Sequence, residues 1–125
     1  MRWHRAVASA LLGLLAVACN GSSGDSTVFT LAEFAIDGPE RLGSGTSTIT
    51  ASNVGEFPHT IVVTDSDGTV VAGSELIQPG QSADLDLTLD TGTYQFTCRI
   101  VAEIDDGTFI DHFEAGMLHL VEVSS

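Results

Sequence analysis

Lysine is missing from this chain of 125 residues, and only four arginines (Arg2, Arg5, Arg41, Arg99) stand against 17 aspartates and glutamates. Neutralising a phosphate backbone takes clustered cations, so the balance excludes DNA and RNA as partners. It also excludes a surface that adheres to anionic lipid by charge. Cysteine is scarce: Cys19 and Cys98 leave no zinc motif of paired cysteines. There is no phosphate-cradling glycine loop and no plausible Ser-His-Asp array, which speaks against an enzyme. After residue 26 no stretch carries apolar residues at helical spacing, so an α-helical domain is excluded too.

What is present begins with a targeting signal. Arg2 and Arg5 give a basic start, and Ala6 to Ala18 is a run of 13 small and apolar residues. Spanning a bilayer takes about 20, whereas this length suits the apolar part of a secretory signal. Trp3 belongs to that segment. Ala16-Val17-Ala18 before Cys19 resembles a bacterial lipobox, and the resemblance implies cleavage after Ala18 and lipidation of Cys19. Ordinary secretory cleavage at the same bond is the alternative. The expected layout is a signal peptide at 1–18, a small polar tether at 19–26 and one domain at 27–125. The exported chain then carries 17 acids against two bases, a net charge of −15 with neutral histidines. Such a domain repels itself or docks on a basic partner. With Cys19 acylated, Cys98 is a lone thiol, and a metal thiolate is one role for it.

The domain reads as short strands. Leu85, Leu87 and Leu89 alternate with Asp84, Asp86, Thr88 and Asp90, and Tyr94, Phe96 and Cys98 share one face of 92–98. Further strands are expected at 27–35, 47–53, 60–64 and 116–123, the β-branched run 60–64 being the more central. Turn signals at Gly43-Ser44-Gly45, Asp67-Gly68, Pro79-Gly80 and Thr91-Gly92 separate them. Seven to eight strands so spaced predict an all-β Greek-key sandwich.

Four residues carry candidate chemistry: His59, Cys98, His112 and Met117. Two imidazoles, a thiolate and a thioether make up the trigonal His-His-Cys set with a weak axial Met of blue-copper electron-transfer sites. Their surroundings resemble the cupredoxins, the plastocyanin- and azurin-like family. Thr30-Leu31-Ala32-Glu33-Phe34-Ala35 resembles the family's first strand. The run Asn53-Val54-Gly55-Glu56-Phe57-Pro58-His59-Thr60 resembles its first-histidine segment. Leu76-Ile77-Gln78-Pro79-Gly80-Gln81-Ser82 resembles the following block, Gly92 to Cys98 the strand leading to the thiolate, and His112-Phe113-Glu114-Ala115-Gly116-Met117 the closing loop. The resemblance implies one copper cycling between Cu(I) and Cu(II), with His59, Cys98 and His112 as equatorial ligands and Met117 as the axial one. It implies Asn53 as a brace for the His59 loop, and a more exposed second histidine by which electrons leave. His119, two residues past Met117, is a candidate supporting group, a substitute ligand, or a space-filling histidine bonded elsewhere.

One departure stands out. The family holds only a few residues between cysteine and second histidine, and here there are 13, Arg99 to Asp111. They read as a β-hairpin insert around Asp105-Asp106-Gly107. A two-residue Asp106-Gly107 turn sets His112 opposite Val101, on the side away from Cys98. A three-residue turn sets it opposite Ile100, on the Cys98 side, because a one-residue slip reverses the face. Phe109, Ile110 and Phe113 of the insert and the loop after it are candidates for a docking rim.

The functional expectation is an exported electron carrier. It would act as a monomer, lipid-anchored to the outer face of a bacterial membrane or in the periplasm, and exchange electrons with a redox-partner protein bearing a basic docking surface. It would touch membrane only through the lipid. A copper chaperone or storage module, and a metal-free binding domain of the same shape, are the alternatives.

Overall fold

Strand geometry sends every second side chain to the same face, and this chain uses that alternation to build two facing sheets. A computed structural model describes residues 27–125. The signal segment 1–18 and the tether 19–26, with Cys19, lie outside the described residues. In order the strands are β1 Thr27–Ala32, β2 Ala35–Asp37, β3 Arg41–Gly43, β4 Gly45–Asn53, β5 Val62–Thr64, β6 Val70–Gly73, β7 Ser82–Leu89, β8 Gly92–Thr97, β9 Val101–Glu103, β10 Phe109–Asp111 and β11 Leu118–Ser124. One sheet runs β2-β1-β4-β7, the other β3-β11-β8-β5-β6, and β9 with β10 forms a separate ribbon. β1 lies parallel to β4 and β3 parallel to β11, and the remaining pairs are antiparallel.

The all-β sandwich with its inserted hairpin is present, and the described residues form eleven strands where seven to eight are expected. β3 and β6 are short edge strands of three and four residues, and such lengths leave little periodicity to read. The stretch 27–35, expected as one strand, folds back on itself. Glu33 and Phe34 form a tight turn, with Ala32 paired to Ala35. Phe34 sits at φ 70°, a left-handed conformation that a bulky residue adopts only at a cost.

The core lies between the sheets. Phe29, Leu31, Ile36, Ile49, Ala51, Leu87 and Leu89 face Val63, Tyr94, Phe96, Val121 and Val123, all buried. Phe29 and Phe96 stack across the interface with centroids 4.8 Å apart. On the outer face of β7, Asp86 and Asp84 accept hydroxyl hydrogen bonds from their cross-strand partners Thr48 (2.7 Å) and Thr50 (2.8 Å). β7 is an edge of its sheet.

The hairpin takes the three-residue register. Phe109 pairs with Glu103, Ile110 with Ala102 and Asp111 with Val101. The Ile104 amide donates to Thr108 O at 2.8 Å, and Gly107 takes φ 85°. This is the three-residue loop closed by a left-handed glycine. His112 therefore stands opposite Ile100, whose carbonyl accepts its amide at 2.9 Å.

Phe96→Ala removes half of the inter-sheet stack and leaves a cavity. We expect it to cost about 3–5 kcal/mol, read from the shift of the urea unfolding midpoint.

Candidate metal centre

Three loops and a strand end meet at one end of the sandwich. Cys98 follows directly on β8, and its amide donates to Met117 O at 3.3 Å. His59 lies between β4 and β5, locked by reciprocal backbone bonds to Ile77 of 3.1 and 2.8 Å. His112 follows β10 and opens a compact loop. There Asp111 Oδ1 accepts the amides of Phe113 (2.9 Å) and Glu114 (3.2 Å), and the Met117 amide donates to His112 O at 3.0 Å.

These elements bring His59, Cys98 and His112 together, all buried, with donor atoms within 4.8 Å of one another. Cys98 Sγ lies 3.8 Å from His59 Nδ1 and 3.6 Å from His112 Nδ1. Metal–thiolate and metal–imidazole bonds of about 2.3 and 2.0–2.1 Å, opened to a trigonal angle, put sulfur and nitrogen about 3.8 Å apart. The soft thiolate and the two imidazoles thus fit a metal ion in both donor type and spacing. Met117 is fully buried beside them in sequence and backbone bonding. The sulfur of Cys98 also accepts the Thr60 amide at 3.4 Å, with the Thr60 hydroxyl at 3.8 Å.

Asn53 braces the His59 loop. Buried at the end of β4, it donates from Nδ2 to Phe57 O and Ile77 O and accepts the Gly55 amide at Oδ1, all at 2.8 Å. His119 stands apart from the trio. Its Nε2 donates to Pro39 O at 2.8 Å, and its ring lies edge-on to Phe29. It is a histidine with a hydrogen bond of its own.

His112 is 2% exposed and His59 0%, so the second histidine is the marginally more accessible of two buried rings. The inserted ribbon folds over it, leaving an apolar recess of about 80 Å³ lined by Phe34, Phe57, Ala102, Ile104 and Ile110 beside the ring. Phe113 is likewise partly covered, with the Arg99 guanidinium 3.9 Å above its ring.

Glu33 contacts the site, a role that its resemblance to a first-strand segment does not announce. Its carboxylate accepts from His59 Nε2 at 3.0 Å and from the amides of Glu56 and Phe57. Burial raises the Glu33 carboxyl, but those amides and the imidazole outweigh it and hold the group below its ordinary value. Burial pushes the His112 imidazole down, as does its neighbour His59, against the opposing pull of Glu33 and Asp111.

The fold matches known structures. Reduced auracyanin from Roseiflexus castenholzii superposes with a TM-score of 0.62 at 21% identity, covering 78% of this chain and 95% of that one. An azurin (Az-iso2) from Methylomonas sp. strain J gives 0.60 at 12% identity, covering 82% and 100%. Auracyanin B gives 0.59 at 16%, covering 86% and 94%. The fold is that of the cupredoxins. No protein-family model matches the sequence, and no curated protein sequence matches it. Within this cupredoxin frame the His-Cys-His trio occupies one end, under a ribbon that belongs to the insert.

Two outcomes follow from this geometry. Asn53→Ala strands a buried and a part-buried carbonyl and a part-buried amide, and should cost about 2–3 kcal/mol by denaturant unfolding. In the metal-free protein, His112 and Glu33 both bind fewer protons folded than unfolded, so stability must fall on acidification. The fall comes first between the ordinary and the lowered histidine values, then from the carboxylate range down through the lowered Glu33 value. Urea midpoints across that pH range check the sign, with His112→Gln flattening the upper limb and Glu33→Gln the lower.

Proposed function

We propose that this protein is an exported, membrane-tethered type 1 (blue) copper protein that shuttles single electrons between redox partners. The observation that carries the reading is the buried thiol of Cys98 set 3.6 and 3.8 Å from two imidazole Nδ1 atoms. Copper held by His59, Cys98, His112 and Met117 would supply one-electron exchange between Cu(I) and Cu(II). The chain's own part is to hold the donors fixed and dry. Asn53 and the Ile77 bridge lock His59, the Thr60 amide takes up charge on the Cys98 sulfur, and the ribbon covers most of His112. Fixed ligands limit rearrangement when the charge changes.

Burial also favours this reading over its neighbours. A chaperone must surrender its metal, and a trio of side chains this deeply buried favours retention. The same burial leaves no open position for a substrate, which supports a carrier and not an enzyme. The signal segment and Cys19 support export and a lipid anchor, with the carrier acting as a monomer at the outer membrane face or in the periplasm.

Docking is assigned to the ribbon end. Phe109, Val101, Phe57 and Ile104 are exposed there, at 64%, 57%, 47% and 36%. Exposed Glu56, Glu103, Asp105, Asp106 and Glu114 surround them, which suits a partner with a basic surface and an apolar centre.

Cu(II) added to the purified protein should give an intense thiolate-to-copper visible band and a matching EPR signal, both lost in Cys98→Ser. Absence of the band in the wild type refutes the reading. Shortening Arg99 to Asp111 to a few residues should keep the band but slow electron exchange with a small basic cytochrome at least tenfold, by stopped flow. Equal rates would remove the ribbon from docking.

A further inference from the structure

Glu33 and Phe34 form the tight turn between β1 and β2, and between them they touch both imidazoles. The Glu33 carboxylate lies 3.0 Å from His59 Nε2. An ionised carboxylate only accepts, so the neutral His59 ring carries its proton on Nε2 and presents the Nδ1 lone pair toward Cys98 Sγ. Phe34 sets its ring edge-on to His112, centroids 5.3 Å apart and planes at 77°.

The turn is seated between two glycines. A Cβ on Gly55 would overlap the Glu33 carboxylate, 2.8 Å from its Cδ. One on Gly116, in the loop between His112 and Met117, would come within 3.1 Å of the Phe34 carbonyl oxygen. Both ligand loops thus leave room for this turn and for little else. Phe34 keeps its φ of 70° although a glycine would adopt it freely, and strain of this kind persists where the surroundings over-determine the backbone.

We propose that the Glu33–Phe34 turn braces the metal centre, with Glu33 as the positioning residue for His59 and Phe34 as the one for His112. The inference rests on reading the trio as a metal site. Neither residue coordinates; each acts through an imidazole. Glu33 fixes which nitrogen of His59 is free to bind and holds the ring against rotation. Carboxylates behind metal-bound histidines typically account for about 10–100-fold in affinity.

Imidazole nitrogen NMR of the metal-free protein, above neutral pH, reads the His59 tautomer directly, and titration with Zn(II), a redox-silent probe, reads affinity. In the wild type we expect a single Nε2–H tautomer at His59. Glu33→Ala removes the carboxylate, and Gly55→Ala displaces it while leaving its chemistry intact. Each should give mixed tautomers and at least tenfold weaker zinc binding. Phe34→Leu should shift the His112 resonances and leave His59 as it was. An Nδ1–H tautomer in the wild type overturns the proposal. So do folded Glu33→Ala and Gly55→Ala variants that keep the wild-type tautomer and affinity, and a Phe34→Leu variant whose His112 resonances stay in place. If Glu33→Ala fails to fold, Gly55→Ala decides alone. The tautomer is read without metal, so a wild type lacking the blue band refutes the copper reading while the nitrogen spectra still decide the brace.

Discussion

Two imidazoles and a thiol share a space from which water is excluded, and the rest of this end of the molecule is arranged around that fact. Buried polar groups are costly unless each finds a partner. Here each does, and among the described residues no buried side-chain nitrogen or oxygen lacks one. Glu33 takes one nitrogen of His59, the Thr60 amide meets the Cys98 sulfur, and Asn53 satisfies the loop beneath. Satisfaction from several directions is what gives the donors one arrangement. The stacked core supplies the rigid frame, because β8 carries Phe96 into the interior and Cys98 to the site on the same face.

The inserted ribbon shows how a large change in chain length leaves a site intact. Thirteen residues separate Cys98 from His112, yet the backbone bond from His112 to Ile100 returns the chain to the cysteine's side. Strand parity makes this an all-or-nothing matter, and the left-handed Gly107 selects the register that works. The length spent on the ribbon also changes the site's exposure. A histidine at the rim of a short loop would meet solvent, whereas this one meets Phe34 and Ile110.

How much of this was legible in the sequence depends on range. The alternation at Leu85, Leu87 and Leu89, and at Tyr94, Phe96 and Cys98, is a local pattern, and the strands form where it lies. The His59, Cys98 and His112 convergence was legible because donor types of one chemistry recur in a β framework. Asn53 was legible through its resemblance to a known segment. Glu33 and Phe34 were not, since their turn rests on a left-handed phenylalanine that no composition rule selects. Their contacts run from residue 33 to residue 59 and from residue 34 to residue 112. The burial of His112 was hidden for the same reason, because the residues that cover it arrive from three separate segments. His119 shows the opposite limit: spacing put it beside Met117, and a carbonyl 80 residues away claimed its proton.

The threonine–aspartate pairs on β7 have a consequence for the molecule in a crowded compartment. An edge strand with free backbone groups invites a second copy to add on. Laid antiparallel against β7, such a copy would bring its own Asp84 and Asp86 up to the same pair, and like charges facing across strands are repelled. With no lysine anywhere in the chain to neutralise them, the carboxylates keep this edge solitary. Added salt would screen that repulsion while leaving the strand itself intact, so high ionic strength is the condition under which this sheet becomes adhesive.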